Sequence, residues 1–274
     1  MRTYAMPCAI SLFALGLSCG DDETTTPTPP FDVDLGGGFE GQVLGGNRLV
    51  IRAADGRVLL DGLPPGKVVA EDPPRVGFAT RTVVTTYEMQ FGAFKPTFAP
   101  EAGWRVASTL AKHADGVTLE SDTGELARLA FSADDGHLVI DLIPGPDGAY
   151  DPEDPSRATK LSWGFACDAE DHFAGFGAQT WDADHRGQTV PTFVTEGGIG
   201  KSEKDDFSGL WQAQGQRHSS HAPIPEYLSR RGYVLVAETN RRANFALCSE
   251  SETTARIEVD LPAKIHVFDG PSPA

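Results

Sequence analysis

Basic side chains are scarce in this sequence: 23 Lys and Arg stand against 39 Asp and Glu, a formal net charge of −16. A phosphate backbone needs a concentrated basic face, so nucleic acid is excluded as the expected partner, and the acidity reads as solubility. Helical periodicity is missing too. No segment carries apolar residues at helical spacing through three turns, and the 30 Gly and 20 Pro would loosen or break helix interiors. Cysteine is sparse, with four residues in 274. Neither Cys167 nor Cys248 has a second Cys or a His at the short spacing of a zinc site. No Gly-x-Ser-x-Gly elbow occurs, nor a phosphate-cradling loop; Gly200-Lys201-Ser202 comes nearest, between acidic, β-rich flanks. His218, Ser219, Ser220 and His221 have no third ligand nearby and are expected to form a solvated loop. Neither a metal nor a cofactor is expected.

What is present begins with an export signal. Arg2 precedes the apolar residues Ala9, Ile10, Leu12, Phe13, Ala14, Leu15 and Leu17, a core too short for a stable membrane span. Gly16-Leu17-Ser18-Cys19 then meets the polar Gly20-Asp21-Asp22-Glu23. That junction is similar to a bacterial lipoprotein signal cut before Cys19, which would carry the lipid; Gly16 stands where that class prefers Leu, and an ordinary secretory cut nearby is the alternative. Residues 1–19 are therefore read as signal, and residues 20–33, rich in Asp, Glu, Thr and Pro, as a solvated tether. The expected location is periplasmic or at the cell surface, with a membrane touched only through the lipid anchor. In an oxidising compartment Cys167 and Cys248 could pair or stay as buried thiols; spacing alone leaves both open.

Beyond the tether the punctuation is that of strands. Leu49–Arg52 and Arg57–Leu60 flank Asp55-Gly56, a pair suited to a tight hairpin because Gly accepts positive φ. The device recurs at Asp115-Gly116 and at Asp135-Gly136. Residues 81–87 are rich in β-branched side chains, which fit a pleated surface. Further apolar runs lie at Tyr233–Val236, Asn244–Leu247, Arg256–Val259 and Lys264–Phe268. Hydrophobic residues make up 40% of the chain, enough for a packed core. The expected fold is all-β, a large two-sheet antiparallel β-sandwich over residues 34–274.

The densest polar stretch runs from Phe173 through Gly187. Gly175 and Gly177 bracket an aromatic residue at a strand end, and Trp181, Asp182, Asp184, His185 and Arg186 follow within a few positions. An aromatic face beside carboxylate, imidazole and guanidinium groups suits a sugar, with its apolar C–H faces and rim of hydroxyls. A salt-bridged loop packed on the sheet would use the same residues.

These residues carry a resemblance. Phe173–Gly177, the Asp184–Gly187 run and Thr195–Lys201 look like the N-terminal β-sandwich of glycoside hydrolase family 31, as do Gly232–Val236, Asn244-Phe245 and Phe268–Pro273. It is strongest over residues 160–274, and the loop around Asp184–Lys201 looks most like the sulfoquinovosidase branch. The resemblance implies a galactose mutarotase-like supersandwich that packs on a (β/α)8 barrel, normally of the same chain, and helps shape an α-glycoside site. It places Trp181, Asp182, Asp184, His185 and Arg186 near the sugar. Ala178 stands where the family has Glu after Gly-x-Gly, which puts that contact in doubt. Family members are retaining α-glycosidases whose two Asp lie in the barrel, and nothing here resembles the Trp-x-Asp-Met nucleophile strand. The expectation is an accessory domain of an exported α-glycosidase, inactive alone, with the catalytic pair absent. The alternatives are a free-standing, membrane-tethered carbohydrate-binding sandwich and a mutarotase-like epimerase.

Overall fold

A computed structural model describes residues 29–66, 74–90, 93–100, 103–151, 154, 157–194, 199 and 217–270. The expected signal, most of the tether, and the run 195–201 apart from Ile199 lie outside the described residues, as does the Pro271–Pro273 end of the resemblance.

The described chain holds twenty strands. The first eight are β1 (Phe31–Asp34), β2 (Glu40–Leu44), β3 (Arg48–Arg52), β4 (Val58–Asp61), β5 (Phe78–Arg81), β6 (Val83–Gln90), β7 (Ala93–Pro100) and β8 (Arg105–Val106). The next six are β9 (Thr109–His113), β10 (Gly116–Ser121), β11 (Gly124–Asp134), β12 (His137–Pro144), β13 (Lys160–Ala166) and β14 (Phe173–Gly175). The last six are β15 (Gln188–Thr192), β16 (Glu226–Ser229), β17 (Tyr233–Glu238), β18 (Ala243–Ser251), β19 (Thr254–Asp260) and β20 (Ala263–Asp269).

Two large antiparallel sheets dominate. One runs β14-β16-β17-β20-β12-β11-β10-β9, and the other β15-β18-β19-β13-β5-β8. The sandwich read from the sequence is what the chain forms. Two smaller sheets join it: the meander β1-β2-β3-β4 and the hairpin β6-β7. The turn between β11 and β12 shows how local chemistry sets register. Asp135 and Gly136 have φ of 43° and 81°, the double left-handed geometry whose twist matches antiparallel strands, and Asp134 pairs with His137 across it.

One continuous core joins the three larger sheets. Val33, Leu35 and Ile51 of the meander region lie in the same buried cluster as Leu129, Ile140 and Leu235 of the eight-stranded sheet and Leu161, Trp163 and Phe245 of the six-stranded sheet. The folded part starts earlier than residue 34, because Phe31–Asp34 pairs with β2 and buries Val33. The sequence reading also passed over β13, whose side chains are buried on both faces except at its end.

The face of the six-stranded sheet turned away from this core is polar yet buried. Lys160 Nζ stands 3.2 Å from Glu258 Oε1 and 2.7 Å from Asp260 Oδ1. Arg256 reaches Glu258 at 3.2 Å and also pairs with Glu250. Burial opposes ionisation of Glu258, but the charges of Lys160 and Arg256 outweigh it and hold its pKa down.

Candidate functional site

The polar loop grows out of the end of β14. Gly175, Phe176 and Gly177 have φ of 138°, 66° and 72°, a left-handed run that turns the chain sharply. The two glycines are needed for proximity as well. A Cβ on Gly177 would stand 2.2 Å from the Ala222 carbonyl oxygen, and one on Gly175 2.7 Å from that of Glu226. The close approach is sealed by Phe176 N–H donating to Glu226 O at 2.8 Å and by Ala178 N–H donating to Ala222 O at 3.2 Å. Phe176 itself points inward and is fully buried.

The five residues singled out from the sequence then take different places. Trp181 lies outermost, 47% exposed. Asp182 is held by Arg217, whose Nε and Nη2 donate to its two oxygens at 2.7 and 2.8 Å. That fork lowers the Asp182 pKa and fixes the carboxylate plane. Asp184 braces the loop: it accepts from Phe173 N at 3.1 Å and Arg186 N at 3.0 Å, and meets His172 Nδ1 at 2.6 Å. Desolvation opposes its ionisation, yet these bonds keep its pKa below the ordinary value. The Arg186 side chain turns back, donating to Cys167 Sγ at 3.1 Å and to Glu252 O at 3.3 Å. Its anchor is the Cys167–Cys248 disulfide, with a Cα separation of 6.2 Å.

His185 is 1% exposed. Its ring meets Phe176 edge to face at 5.1 Å and lies 5.8 Å from the ring of His218. Neither ring nitrogen has a hydrogen bond of good geometry; the charges of Asp182 and Asp184, and after them the Gly175 backbone and Gln188 side chain, favour its cation. Desolvation prevails and lowers its pKa. His218 follows for the same reason, helped by the charges of His185 and Arg217, and falls to about 4. Its Nδ1 meets Gln179 Oε1 at 3.1 Å. At neutral pH the loop therefore rests on two uncharged imidazoles.

Sequence reasoning missed Arg217, Gln179 and His172 as partners of this loop, since nothing local ties residue 217 to residue 182. The expected solvated loop at 218–221 is largely packed instead. Ser219 and Ser220 are buried, and Ser220 Oγ donates to Ala178 O at 2.9 Å. Chemically the site offers an exposed Trp181 next in sequence to a bidentate carboxylate–guanidinium pair. Among the described residues no three His, Cys, Asp or Glu are grouped to hold a metal ion, and no helix is long and apolar enough to cross a membrane.

No protein-family model matches the chain. A sulfoquinovosidase of Agrobacterium fabrum (strain C58 / ATCC 33970) is 27% identical to it over 178 residues. A GH31 family sulfoquinovosidase from E. rectale, solved with an aza-sugar inhibitor, matches its fold with a TM-score of 0.60 at 17% identity, over 82% of this chain. The chain is thus similar in sequence to a sulfoquinovosidase and shares the fold of a GH31 one. The first match covers 61% of this chain, and the chain spans only 24% of that relative's length and 31% of the solved enzyme. A GH31 dextranase of Flavobacterium johnsoniae covers 88% of this chain at 11% identity, with a TM-score of 0.31.

Proposed function

We propose that this domain is the accessory β-sandwich of an exported family-31 α-glycosidase acting on α-sulfoquinovosides. It packs against a (β/α)8 barrel of the same polypeptide and presents Trp181 and the Asp182–Arg217 pair at the rim of the sugar site. The observation that carries this reading is the sequence match to a sulfoquinovosidase over 178 residues, and the solved sulfoquinovosidase fold supports its architecture. The exposed indole supplies a stacking face, and the paired carboxylate and guanidinium supply oriented acceptors and donors for a polar rim. Asp184, His185 and Arg186 act from beneath, holding the loop in place. The disulfide supports export, since such bonds persist in oxidising compartments, and lipid attachment at Cys19 belongs to the same reading.

The test joins this chain to a sulfoquinovosidase barrel and replaces Trp181 with Ala and Asp182 with Asn. On an aryl α-sulfoquinovoside, kcat/KM is expected to fall by roughly 1–3 kcal/mol of transition-state stabilisation in each variant. Thermal melting of Trp181→Ala should stay within a degree or two of the parent's, roughly what a surface substitution does. Unchanged kinetics in both variants would reduce the loop to a solvated edge.

A further inference from the structure

The outer face of the eight-stranded sheet carries a cluster that the sugar loop does not use. Val139 of β12 pairs with His266 of β20, and Leu138 pairs with Val267, so His137 lies one diagonal step from His266 on the same face. His266 in turn pairs with Val236 of β17, and Lys264 with Glu238, which puts Glu238 on the opposite diagonal. The three side chains form an oblique line across three hydrogen-bonded strands. His137 Nε2 stands 3.0 Å from His266 Nδ1, and His266 Nε2 stands 2.8 Å from Glu238 Oε2. His137 stacks on Phe268 with ring centroids 4.3 Å apart and an interplanar angle of 18°.

We infer that His137 and His266 form a two-imidazole chelate for a late first-row divalent cation, with Cu2+ bound most tightly. Metal–imidazole bonds of about 2.0–2.1 Å place two ligating nitrogens about 2.8–3.0 Å apart at a right angle and about 3.3–3.4 Å apart at a tetrahedral one. The observed 3.0 Å fits the right angle of a tetragonal ion. Imidazole donors select Cu2+, Ni2+ and Zn2+ over hard cations. The supporting shell is in place. A carboxylate on the distal nitrogen is the usual partner of a metal-bound His, and Glu238 holds the Nε2–H of His266, which leaves Nδ1 with its lone pair towards His137. Phe268 fixes the other ring. The proton that His137 Nε2 now shares with His266 moves to its Nδ1 when the cation enters, so one tautomer replaces another. Because no third protein ligand is grouped here among the described residues, water completes the coordination. The sequence, which offers His137 and His266 at a separation no metal motif uses, gives no hint of it.

Copper sulfate titrated into the full chain in a non-coordinating buffer, followed by calorimetry and electron paramagnetic resonance, tests the site. One ion with nitrogen hyperfine structure is expected, with Ni2+ and Zn2+ weaker. His266→Ala and His137→Phe should each weaken binding at least about tenfold, and Glu238→Gln about tenfold. The Phe variant keeps a ring over Phe268, so circular dichroism of a native sheet in that variant separates lost ligation from lost fold. Should His266→Ala unfold, His137→Phe decides alone. Equal Cu2+ binding by the parent and His137→Phe, or no binding by the parent at millimolar copper, overturns the site.

Discussion

The ring of His218 is half-buried beneath the 181–187 loop, facing His185, Gln179 and the Arg217–Asp182 pair. Its folded pKa, about 4, lies below the value near 6.5 of an unfolded chain. Between those two values the unfolded state binds more protons, so stability is full above pH 6.5 and falls as the pH drops towards 4. His185 shifts in the same direction and adds to the slope. The full His218 shift would correspond to roughly 3 kcal/mol, which partial exposure of the ring reduces to on the order of 1–2 kcal/mol. Urea unfolding at pH 7.5 and pH 5 should show the lower midpoint at pH 5, and His218→Phe should flatten that difference. An equal pH dependence in the variant would rule out the ring as the cause.

At the scale of elements, β13 and β19 are joined by buried charge as well as by apolar packing. Lys160 is the cation between Glu258 and Asp260, and all three are buried. A buried ion network gains little over an apolar replacement of the whole set, but removing one partner strands the others. Lys160→Met should therefore lose about 3–5 kcal/mol in denaturant titrations, far more than a surface Lys such as Lys264 when replaced. A loss below about 1 kcal/mol, the range of exposed pairs, would mean that water reaches the network. The disulfide acts between elements as well. It ties the residue after β13 to Cys248 in the irregular stretch of β18, across a sequence separation of 81. A closed loop of that length restricts the unfolded chain, and replacing both cysteines with Ala should remove about 2–4 kcal/mol. Equal unfolding midpoints with and without the bond would refute this.

For the whole molecule, the large buried cluster that runs across meander and sandwich leads us to expect one cooperative unit. Tryptophan fluorescence and far-UV circular dichroism should report the same unfolding midpoint; two separated transitions would divide the chain into independent parts. Much of this architecture was legible in the sequence. Alternation, β-branched runs and Asp-Gly turns are local signals, and they gave the all-β sandwich and most of its strands, because a hairpin needs only neighbouring residues to form. They failed at β13. Its Lys160, Ser162 and Gly164 look like an exposed strand's polar face, and only the ion partners on β19 and the segments covering that face make it interior. The glycines and the aromatic of the Phe173–Gly187 loop likewise marked a tight, functional-looking edge. The sequence could not sort its five polar and aromatic residues into roles. Trp181 faces outward, Asp182 is clamped by Arg217, and Arg186 turns back to the disulfide, and each partner comes from tens of residues away. Local order is written in spacing along the chain. Burial, ion pairing and the two neutral imidazoles depend on which distant segments the sheets bring together, and that was decided only by tertiary structure.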